Sequence, residues 1–229
     1  MGPDDQKAGP SMTQELRDLG SYLQRLPKVA RRVPVAFDRE RITIGSHHEV
    51  IRTLGDRLSP LSGHIAKNPA AVLLLLYPDM HGAPTVLMTR RAPSLRHHPH
   101  EVSFPGGAVE PGETLAEAAL RETYEEVGID PSDVKLLGLL GSGAVRGSGR
   151  SFSGVVGHVD ARPDLHLNED EVEAVVELPL AMVGSKDYFS ELWYSDGTGW
   201  GLFHFFVRSP DLVWGASARL LVDLLAVLE

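Results

Sequence analysis

Three glutamates stand close together in the middle of the chain, at positions 122, 125 and 126. Separations of three and four residues place Glu122, Glu125 and Glu126 on one face of an α-helix. Carboxylates crowded in this way repel one another unless a cation joins them. Hard oxygen ligands in such a cluster suit Mg²⁺ or Mn²⁺, which also keep waters and bind substrate phosphates. The spacing therefore predicts a helical metal site, in which the neighbouring Arg121 would pair with one glutamate and orient it.

The helix that carries these glutamates has start and stop signals in the sequence. Thr114 followed by Glu117 forms a T-x-x-E capping box, so we expect the helix to begin there. Gly128 suits the position of the C-terminal cap. The helical spacing predicts a face buried against the core that consists of Ala116, Leu120, Tyr124 (or Thr123) and Val127.

Residues 107–129 resemble the Nudix box, whose pattern is G-x5-E-x7-R-E-U-x-E-E-x-G-U, where U is aliphatic. Every fixed letter is present, and Thr123 at the first U position is the one departure. The resemblance implies a metal-dependent hydrolase that cuts a diphosphate linked to another moiety. It also implies the Nudix fold, an α/β/α sandwich around a mixed β-sheet. The alternative is a solvated glutamate-rich helix, which needs neither the flanking glycines nor the Arg-Glu pair at this spacing.

The flanks of the box resemble the coenzyme A diphosphatase subfamily, with its signature of roughly L-L-T-x-R-[SA]-x3-R-x3-G-x3-F-P-G-G. The matching segments are residues 87–92, 95–98 and 104–107 upstream, and residues 168–172, 177–180 and 214–218 downstream. Together the resemblance covers about residues 70–228. It implies hydrolysis of coenzyme A or its derivatives to 3′,5′-ADP and 4′-phosphopantetheine.

His100 is the main departure from that signature, which has glycine at this position. Glycine would allow a positive φ angle or a close backbone approach to a ligand, whereas histidine adds bulk and a titratable ring. Either the loop is shifted or the substrate differs from coenzyme A. The alternative functions are a Nudix pyrophosphatase for ADP-ribose, a dinucleotide or a nucleoside triphosphate, and a catalytically silent module that binds a nucleotide as a sensor. The intact glutamates disfavour the sensor.

The resemblance also suggests roles for individual residues. The metal ligands would be mainly Glu122 and Glu126, with Glu125 and the Gly106 carbonyl in the same site. The catalytic residues would be Arg121 and a general base that is either Glu125 or Glu171. The substrate-binding residues would be Arg91, Arg96, His100 and Gly107.

Two of these assignments have competing interpretations. Neighbouring residues of a strand point to opposite faces, so at most one of Arg90 and Arg91 reaches the site, and the family pattern favours Arg91. The alternative is that these arginines make weak surface ion pairs. Glu171 belongs to the acidic run of residues 169–173, which is equally interpreted as a solvated surface segment.

Hydrophobic patterns elsewhere predict further elements. Strands are expected at residues 70–76, 85–90, 102–104, 134–140, 152–159, 172–177 and 203–208, with a Gly/Ser-rich loop at 141–149; helices are expected at residues 13–26, 49–58 and 216–228. Because strands and helices do not alternate regularly, the fold class is α+β. We divide the chain into a disordered lead or expression remnant (1–12), an N-terminal helical extension (13–66) and a Nudix hydrolase domain (67–229).

Composition narrows the classes of partner. The net charge of −9 disfavours nonspecific binding to nucleic acid. The absence of cysteine excludes disulfides and cysteine-based sites. The longest apolar run has 8 residues, against the roughly 20 that span a bilayer. We expect a cytoplasmic enzyme for a small nucleoside diphosphate-type substrate, with no nucleic-acid or membrane partner. Whether the extension packs on the main domain or on the other subunit of a homodimer stays open.

Overall fold

The computed structural model describes residues 29–32, 44–62, 69–145, 150–185, 188–195, 200–208 and 211–229. This part of the chain forms eleven strands and four α-helices. The strands are β1 Val29–Arg32, β2 Pro69–Pro78, β3 Pro84–Arg91, β4 Val102–Ser103, β5 Gly106–Ala108, β6 Lys135–Val145, β7 Arg150–His158, β8 Val172–Pro179, β9 Phe189–Ser195, β10 Trp200–Arg208 and β11 Asp211–Trp214. The helices are α1 His47–Arg57, α2 Leu115–Val127, α3 Leu180–Val183 and α4 Gly215–Leu228. The predicted lead at 1–12 and helix at 13–26 lie outside the described residues.

The strands form one mixed sheet in the order β1-β9-β10-β11-β4-β3-β2-β7-β6, with β5 paired to β2 and β8 paired to β3. Strand β2 runs antiparallel to β3 and β5 and parallel to β7. The predicted α+β class and the mixed sheet are therefore confirmed. No helix in the described part of the chain is long and apolar enough to cross a membrane.

Strand β2 separates two hydrophobic cores because its apolar side chains alternate between the faces of the sheet. Leu74 and Leu76 join the core that α1 and α4 cover. Leu73 and Leu75 join the core beneath α2. All four leucines are fully buried. Helices thus cover both faces of the sheet, which confirms the expected α/β/α sandwich.

Helix α1 belongs to the segment predicted as an N-terminal extension, yet it packs into the first core. Its N-cap Ser46 accepts a hydrogen bond from Glu49, whose carboxylate in turn bonds to the Ser46 backbone N–H. Val50 and Leu54 are buried in the core that also contains residues of α4. Part of the segment before residue 67 therefore helps to fold the domain, although the predicted domain boundaries stay a prediction.

Several strands differ from the predicted ones. The sequence pattern missed β1, β5, β9 and β11, which are short or lack an alternating apolar pattern. The prediction of a loop beginning at Gly141 was wrong for residues 141–145, because β6 continues to Val145. Residues 142–145 pair with residues 150–153 of β7, and backbone hydrogen bonds of this kind outweigh the weak strand preference of glycine and serine. Residues 146–149 lie outside the described residues.

Leu54→Ala tests whether α1 is part of the folding unit. Leu54 is fully buried between α1 and the sheet. Truncation leaves a cavity, so we expect the free energy of unfolding to fall by about 2–5 kcal/mol in urea denaturation. Arg52→Ala on the exposed face of the same helix is the control, with a change within about 0.5 kcal/mol. Equal, small effects of both substitutions would mean that α1 does not contribute to the core.

Candidate active site

Helix α2 begins and ends where the sequence predicts. Thr114 is the N-cap, its hydroxyl accepts from the Glu117 backbone N–H at 3.2 Å, and the Glu117 carboxylate accepts from the Thr114 N–H at 2.8 Å. Gly128 caps the C-terminus with a φ angle of 76°. A side chain at Gly128 would also collide with His166, 2.8 Å from the ideal Cβ position. The local signals therefore set the length of the helix and the orientation of its glutamates.

The buried face of α2 differs in part from the prediction. The buried residues are Leu115, Ala118, Ala119, Thr123, Glu126 and Val127, and Ala116 and Leu120 are half-buried. Tyr124 is 55% exposed, so its assignment to the core was wrong and the alternative, Thr123, was right. The Thr123 hydroxyl donates to the Ala119 carbonyl oxygen at 2.7 Å. This bond within the helix satisfies the buried hydroxyl and lets threonine replace an aliphatic residue of the box.

Arg121 binds three glutamates and one strand with a single guanidinium group. Its Nε donates to Glu113 at 2.8 Å, and Nη1 donates to Glu122 at 3.0 Å and Glu125 at 3.1 Å. Nη2 donates to the Ala108 carbonyl oxygen of β5 at 3.0 Å. The hydrogen bond to Glu113, together with that to Glu122, raises the pKa of Arg121 above its ordinary value. The structure thus places Arg121 in hydrogen-bond contact with three carboxylates, where the sequence predicted a pairing with one.

Gly106 and Gly107 allow β5 to lie directly against β2 and α2. Gly106 has a φ angle of 149°, and a Cβ there would lie 2.3 Å from the Ala71 carbonyl oxygen. A Cβ at Gly107 would lie 2.4 Å from the carboxyl carbon of Glu122. Gly106 requires glycine, because its neighbours are backbone atoms that cannot move aside, whereas a side chain at Gly107 would displace the Glu122 carboxylate. Gly107 therefore adjoins the glutamate cluster, where it was predicted to contact substrate.

Glu126 is a buried carboxylate with an unpartnered oxygen. The residue is 3% exposed, and its Oε2 is buried without a hydrogen-bond partner in the described structure. Burial raises the pKa of Glu126 to about 8, while the charge of Arg91 opposes the shift and Glu122 and Glu171 reinforce it. A backbone hydrogen bond from Gly106 also favours the charged form. Buried polar atoms without partners are rare and mark places where an ion or a reacting group belongs.

Glu122 and Glu125 flank this carboxylate in different environments. Burial also raises the pKa of Glu122, opposed by its hydrogen bond with Arg121 and reinforced by Glu125 and Glu171. The Glu125 side chain is 49% exposed and pairs with Arg121. The three predicted ligands therefore form a gradient from buried Glu126 to half-exposed Glu125 along one helical face.

The loop before β8 brings Glu171 to the same cluster. The backbone N–H of Asn168 donates to the Glu126 carbonyl oxygen at 3.0 Å, which ties the loop to the end of α2. The Asn168 side chain donates to Glu171 Oε1 at 3.2 Å. Glu171 is half-buried, whereas Glu169 and Asp170 are exposed. The acidic run is thus divided, and Glu171 alone among these three lies close enough to raise the pKa of Glu122 and Glu126.

Arg90 and Arg91 point to opposite sides of β3, as expected for neighbouring residues of a strand. Arg90 turns to β11, where Nε and Nη2 donate to Asp211 at 3.1 and 2.8 Å. Arg91 lies on the side of the carboxylate cluster and lowers the pKa of Glu126. Arg96 is exposed on the loop that follows β3. The structure therefore brings Arg91 to the cluster but not Arg96.

His100 takes the backbone conformation that its replacement of glycine requires. Its φ angle is 61°, in the left-handed region. Its Nδ1 lies 2.9 Å from Glu173 Oε2, and this hydrogen bond lowers the pKa of Glu173. In the described part of the chain His100 makes no contact with the carboxylates of α2. His100 thus keeps a positive φ angle of the kind that glycine adopts readily, and its imidazole contacts Glu173 beside the cluster.

These donors fit a divalent cation. The candidate donors are the carboxylate oxygens of Glu122, Glu125 and Glu126 and the carbonyl oxygen of the adjacent Gly106. Oxygen ligands of this kind suit hard cations such as Mg²⁺ and Mn²⁺. The unpartnered Oε2 of Glu126 points to a missing positive partner. Among the described residues, no three acidic, histidine or cysteine side chains already converge as a finished metal site. Two of the glutamates, Glu122 and Glu125, instead accept hydrogen bonds from Arg121.

Comparison with known proteins assigns the family. The family model of the NUDIX domain matches residues 67–194. Nudix hydrolase 3 of Caenorhabditis elegans is 35% identical over 178 residues, which cover 71% of this chain and 74% of that protein. The uncharacterized Nudix hydrolase NudL of Pectobacterium atrosepticum is 38% identical over 148 residues, 58% of this chain and 76% of that protein. Among solved structures, the M. smegmatis Nudix hydrolase RenU is similar with a TM-score of 0.44 and 24% identity, covering 55% of this chain and 80% of that one.

The fold and the glutamate cluster define a hydrolase of the diphosphate bond. The chain belongs to the Nudix family, and enzymes of this family use divalent metal ions. The predicted enzyme class is thereby confirmed.

One residue of the site, Asn168, had no role in the sequence-based prediction. It orients Glu171 through its side chain and binds α2 through its backbone. The N-x-x-E spacing in residues 168–171 is the signal that could have revealed it, because asparagine and glutamate three residues apart can hydrogen-bond within one turn.

Glu126 should make the stability of the protein depend on pH when divalent cations are removed. Its pKa is about 8 in the folded protein against 4.5 ordinarily. Its contribution is fully present below pH 4.5 and is lost as the pH rises through 8, because the unfolded chain releases the proton first. The free energy of unfolding would fall by at most about 1.4 kcal/mol per pH unit. We expect chelator-treated protein to melt at a lower temperature at pH 8 than at pH 6, measured by calorimetry.

Glu126→Gln is the control for this pH dependence, because the amide mimics the protonated carboxyl group and does not titrate. The difference between wild type and variant isolates Glu126 from the other titrating groups. Added Mn²⁺ should raise the melting temperature of the wild type more at pH 8 than at pH 6, since the cation binds the charged form. Parallel pH profiles of the two proteins would contradict the buried, shifted state of Glu126.

Proposed function

We propose that the protein hydrolyses coenzyme A or a derivative of it, with Mg²⁺ or Mn²⁺, to 3′,5′-ADP and 4′-phosphopantetheine. The observation that carries the proposal is the buried carboxylate of Glu126, with Glu122, Glu171 and Arg91 close to it. The preference for coenzyme A is supported by where the subfamily-like segments lie. Arg91 comes from the segment before the box and Glu171 from the segment after it, and both adjoin Glu126.

Each residue of the site has a distinct proposed task. Glu122 and Glu126 would hold the cation, with Glu125 and the Gly106 carbonyl beside them. A divalent cation bound there supplies charge neutralisation on the diphosphate oxygens and a more acidic water. Arg121 keeps Glu122 in place, and the guanidinium of Arg91 would bind a phosphate oxygen of the substrate. Gly107 leaves room for the substrate next to Glu122.

Glu171 is our proposed general base. It is half-buried, oriented by Asn168 and close to both metal-binding glutamates. Glu125, the alternative, is half-exposed and its carboxylate is paired with Arg121. A base must accept a proton from the attacking water, and a carboxylate already bonded to a guanidinium is the weaker acceptor.

A second candidate substrate class has one observation in its favour. In place of the subfamily glycine, His100 brings its imidazole into contact with the carboxylate of Glu173. A carboxylate at this position would oppose the 3′-phosphate of coenzyme A if that group approached the loop. ADP-ribose, dinucleotides and nucleoside triphosphates lack this 3′-phosphate. The sensor function stays less favoured because all the box glutamates are intact. A homodimer and a cytoplasmic location stay predictions.

A panel of diphosphate substrates tests the proposed function. Purified protein would be incubated with coenzyme A, 3′-dephospho-coenzyme A, ADP-ribose, a dinucleotide and a nucleoside triphosphate, each with Mg²⁺ or Mn²⁺. We expect mass spectrometry to detect 3′,5′-ADP and 4′-phosphopantetheine as the main products. Glu122→Gln and Glu126→Gln should each lower kcat by roughly 10²-fold or more, because each removes charge that holds the cation. Faster turnover of a substrate without the 3′-phosphate would favour the second candidate substrate class. Wild-type rates in both glutamine variants would contradict the proposed metal site.

Glu171→Gln tests the general base. Because the amide cannot accept the proton, we expect kcat to fall by roughly 10²-fold or more, while metal affinity measured by calorimetric titration stays within about threefold. Glu125→Gln, the same chemical change at the half-exposed position, is the matched control and should have the smaller effect on kcat. If the order of the two effects is reversed, Glu125 is the base.

A further inference from the structure

Strands β3 and β8 form a β-bulge next to the carboxylate cluster. Arg90 lies opposite Ala174 and Arg91 lies opposite Val172, so one step along β3 corresponds to two steps along β8. Glu173 is the extra residue in this register. Bulges bend a strand and change the direction of its side chains, and they are frequent beside active sites.

The bulge lies directly beside Glu171, the last residue of the turn that precedes β8. If regular β structure continued one residue back from β8, Glu171 and Glu173 would point to the same side of the sheet. In the structure their surroundings differ. Glu171 lies near Glu122 and Glu126, whereas Glu173 contacts Arg90 and His100. A shift of register by one residue would reverse these directions.

Cationic and imidazole groups hold Glu173 on its own side. Its Oε1 lies 3.5 Å from Arg90 Nη1, and its Oε2 lies 2.9 Å from His100 Nδ1. Arg90 is fixed in turn by two hydrogen bonds to Asp211. We call these four residues, Asp211, Arg90, Glu173 and His100, the Glu173 clamp. The clamp joins β8 to β3, to β11 and to the loop of residues 92–101.

Backbone hydrogen bonds connect the clamp with Glu171. The N–H of His100 donates to the Arg91 carbonyl oxygen at 3.1 Å. The N–H of Ala92 donates to the Glu171 carbonyl oxygen at 2.8 Å. The loop that presents His100 is therefore bonded directly to the residue whose carboxylate faces the cluster, so a displacement at one end is transmitted to the other.

We propose that Glu173 is a positioning residue: held by Arg90 and His100, it maintains the bulge that turns Glu171 towards Glu122 and Glu126. The inference rests on the proposed function, in which Glu171 is the general base. His100 then has a role that glycine could not fill, because its ring supplies one of the two contacts to Glu173. His100 makes this contact while its backbone adopts the positive φ angle that the end of the loop requires.

The clamp should affect the rate more than the stability. Its ion pairs are partly exposed, and such pairs contribute little to the free energy of unfolding. A displacement of a catalytic group by about 1 Å, in contrast, lowers the rate by roughly 10²-fold. Loss of the clamp is therefore expected to lower kcat in a protein that remains folded.

Glu173→Ala and Glu169→Ala form a matched pair for the test. Both substitutions remove one exposed carboxylate two residues from Glu171, but Glu169 lies outside the clamp. We expect Glu173→Ala to lower kcat by about 10-fold or more with KM within about twofold, and Glu169→Ala to leave kcat unchanged. Glu173→Gln keeps an acceptor oxygen for His100 and should recover part of the loss. An equal loss in both alanine variants would overturn the proposal, since it would be a general effect of charge.

A double-mutant cycle shows whether Glu173 acts through Glu171. In the Glu171→Gln background, Glu173→Ala should cause no further loss of kcat, because the group that it positions is already absent. Independent, multiplicative losses would overturn the proposal. So would a wild-type rate in Glu171→Gln, because Glu173 would then have no catalytic group to position.

Crystal structures of the wild type and of Glu173→Ala test the same inference without any substrate. We expect the bulge to shift and the Glu171 carboxylate to turn away from Glu122 and Glu126 in the variant. An unchanged bulge and an unchanged Glu171 would overturn the positioning role. Absence of turnover by the wild type on every substrate would count against the proposed function, and the two crystal structures would still decide the structural inference.

Discussion

The guanidinium of Arg121 is the interaction on which the site depends. Glu113, Glu122 and Glu125 lie close together, and like charges at helical spacing destabilise a helix. Arg121 hydrogen-bonds to all three and also to the Ala108 carbonyl oxygen of β5. The same group therefore offsets the repulsion, orients Glu122 and joins the helix to the strand that contains the glycine turn. A lysine could not replace it, since one ammonium group lacks the planar set of donors that reaches four acceptors.

The burial of the Glu126 carboxylate destabilises the folded state, and a purely structural role does not explain its position. Its carboxylate occupies a position on the core side of α2, where the neighbouring residues Ala119 and Val127 are fully buried. No hydrogen-bond donor in the described structure reaches its Oε2, and burial favours the protonated form. Strongly shifted groups of this kind concentrate at functional sites, because the environment that destabilises a charge also strengthens its attraction for a cation.

Local patterns predicted the site better than they predicted the sheet. The capping box at Thr114, the cap at Gly128 and the shared face of the glutamates depend on residues within a few positions of one another, so their spacing is sufficient. The prediction of the buried face of α2 was partly wrong, because a helix with apolar residues on two sides has two candidate faces. The contacts with β2 decide between them. Strand β5 could not be predicted because it is short and its pairing partner β2 is distant in sequence, and β11 is short and also pairs with the distant β4. Strand β9 lacks an alternating apolar pattern. Strand β6 extends through a glycine-rich segment because residues 142–145 pair with residues 150–153 of the next strand, β7.

The acidic run at residues 169–173 shows why two sequence-based interpretations could both be partly right. Glu169 and Asp170 are exposed, as a solvated run requires, whereas Glu171 lies against the cluster. If the regular alternation of β8 continued back to Glu171 in the preceding turn, Glu173 would lie on the same side and add a further negative charge next to Glu126, whose pKa is already raised. The bulge instead directs the Glu173 carboxylate towards Arg90 and His100, and both side chains pair with it. A bulge depends on the register of two distant strands, so no pattern within the run indicates it. The division of these acidic residues between solvent, site and clamp is therefore a property of the sheet and not of the segment itself.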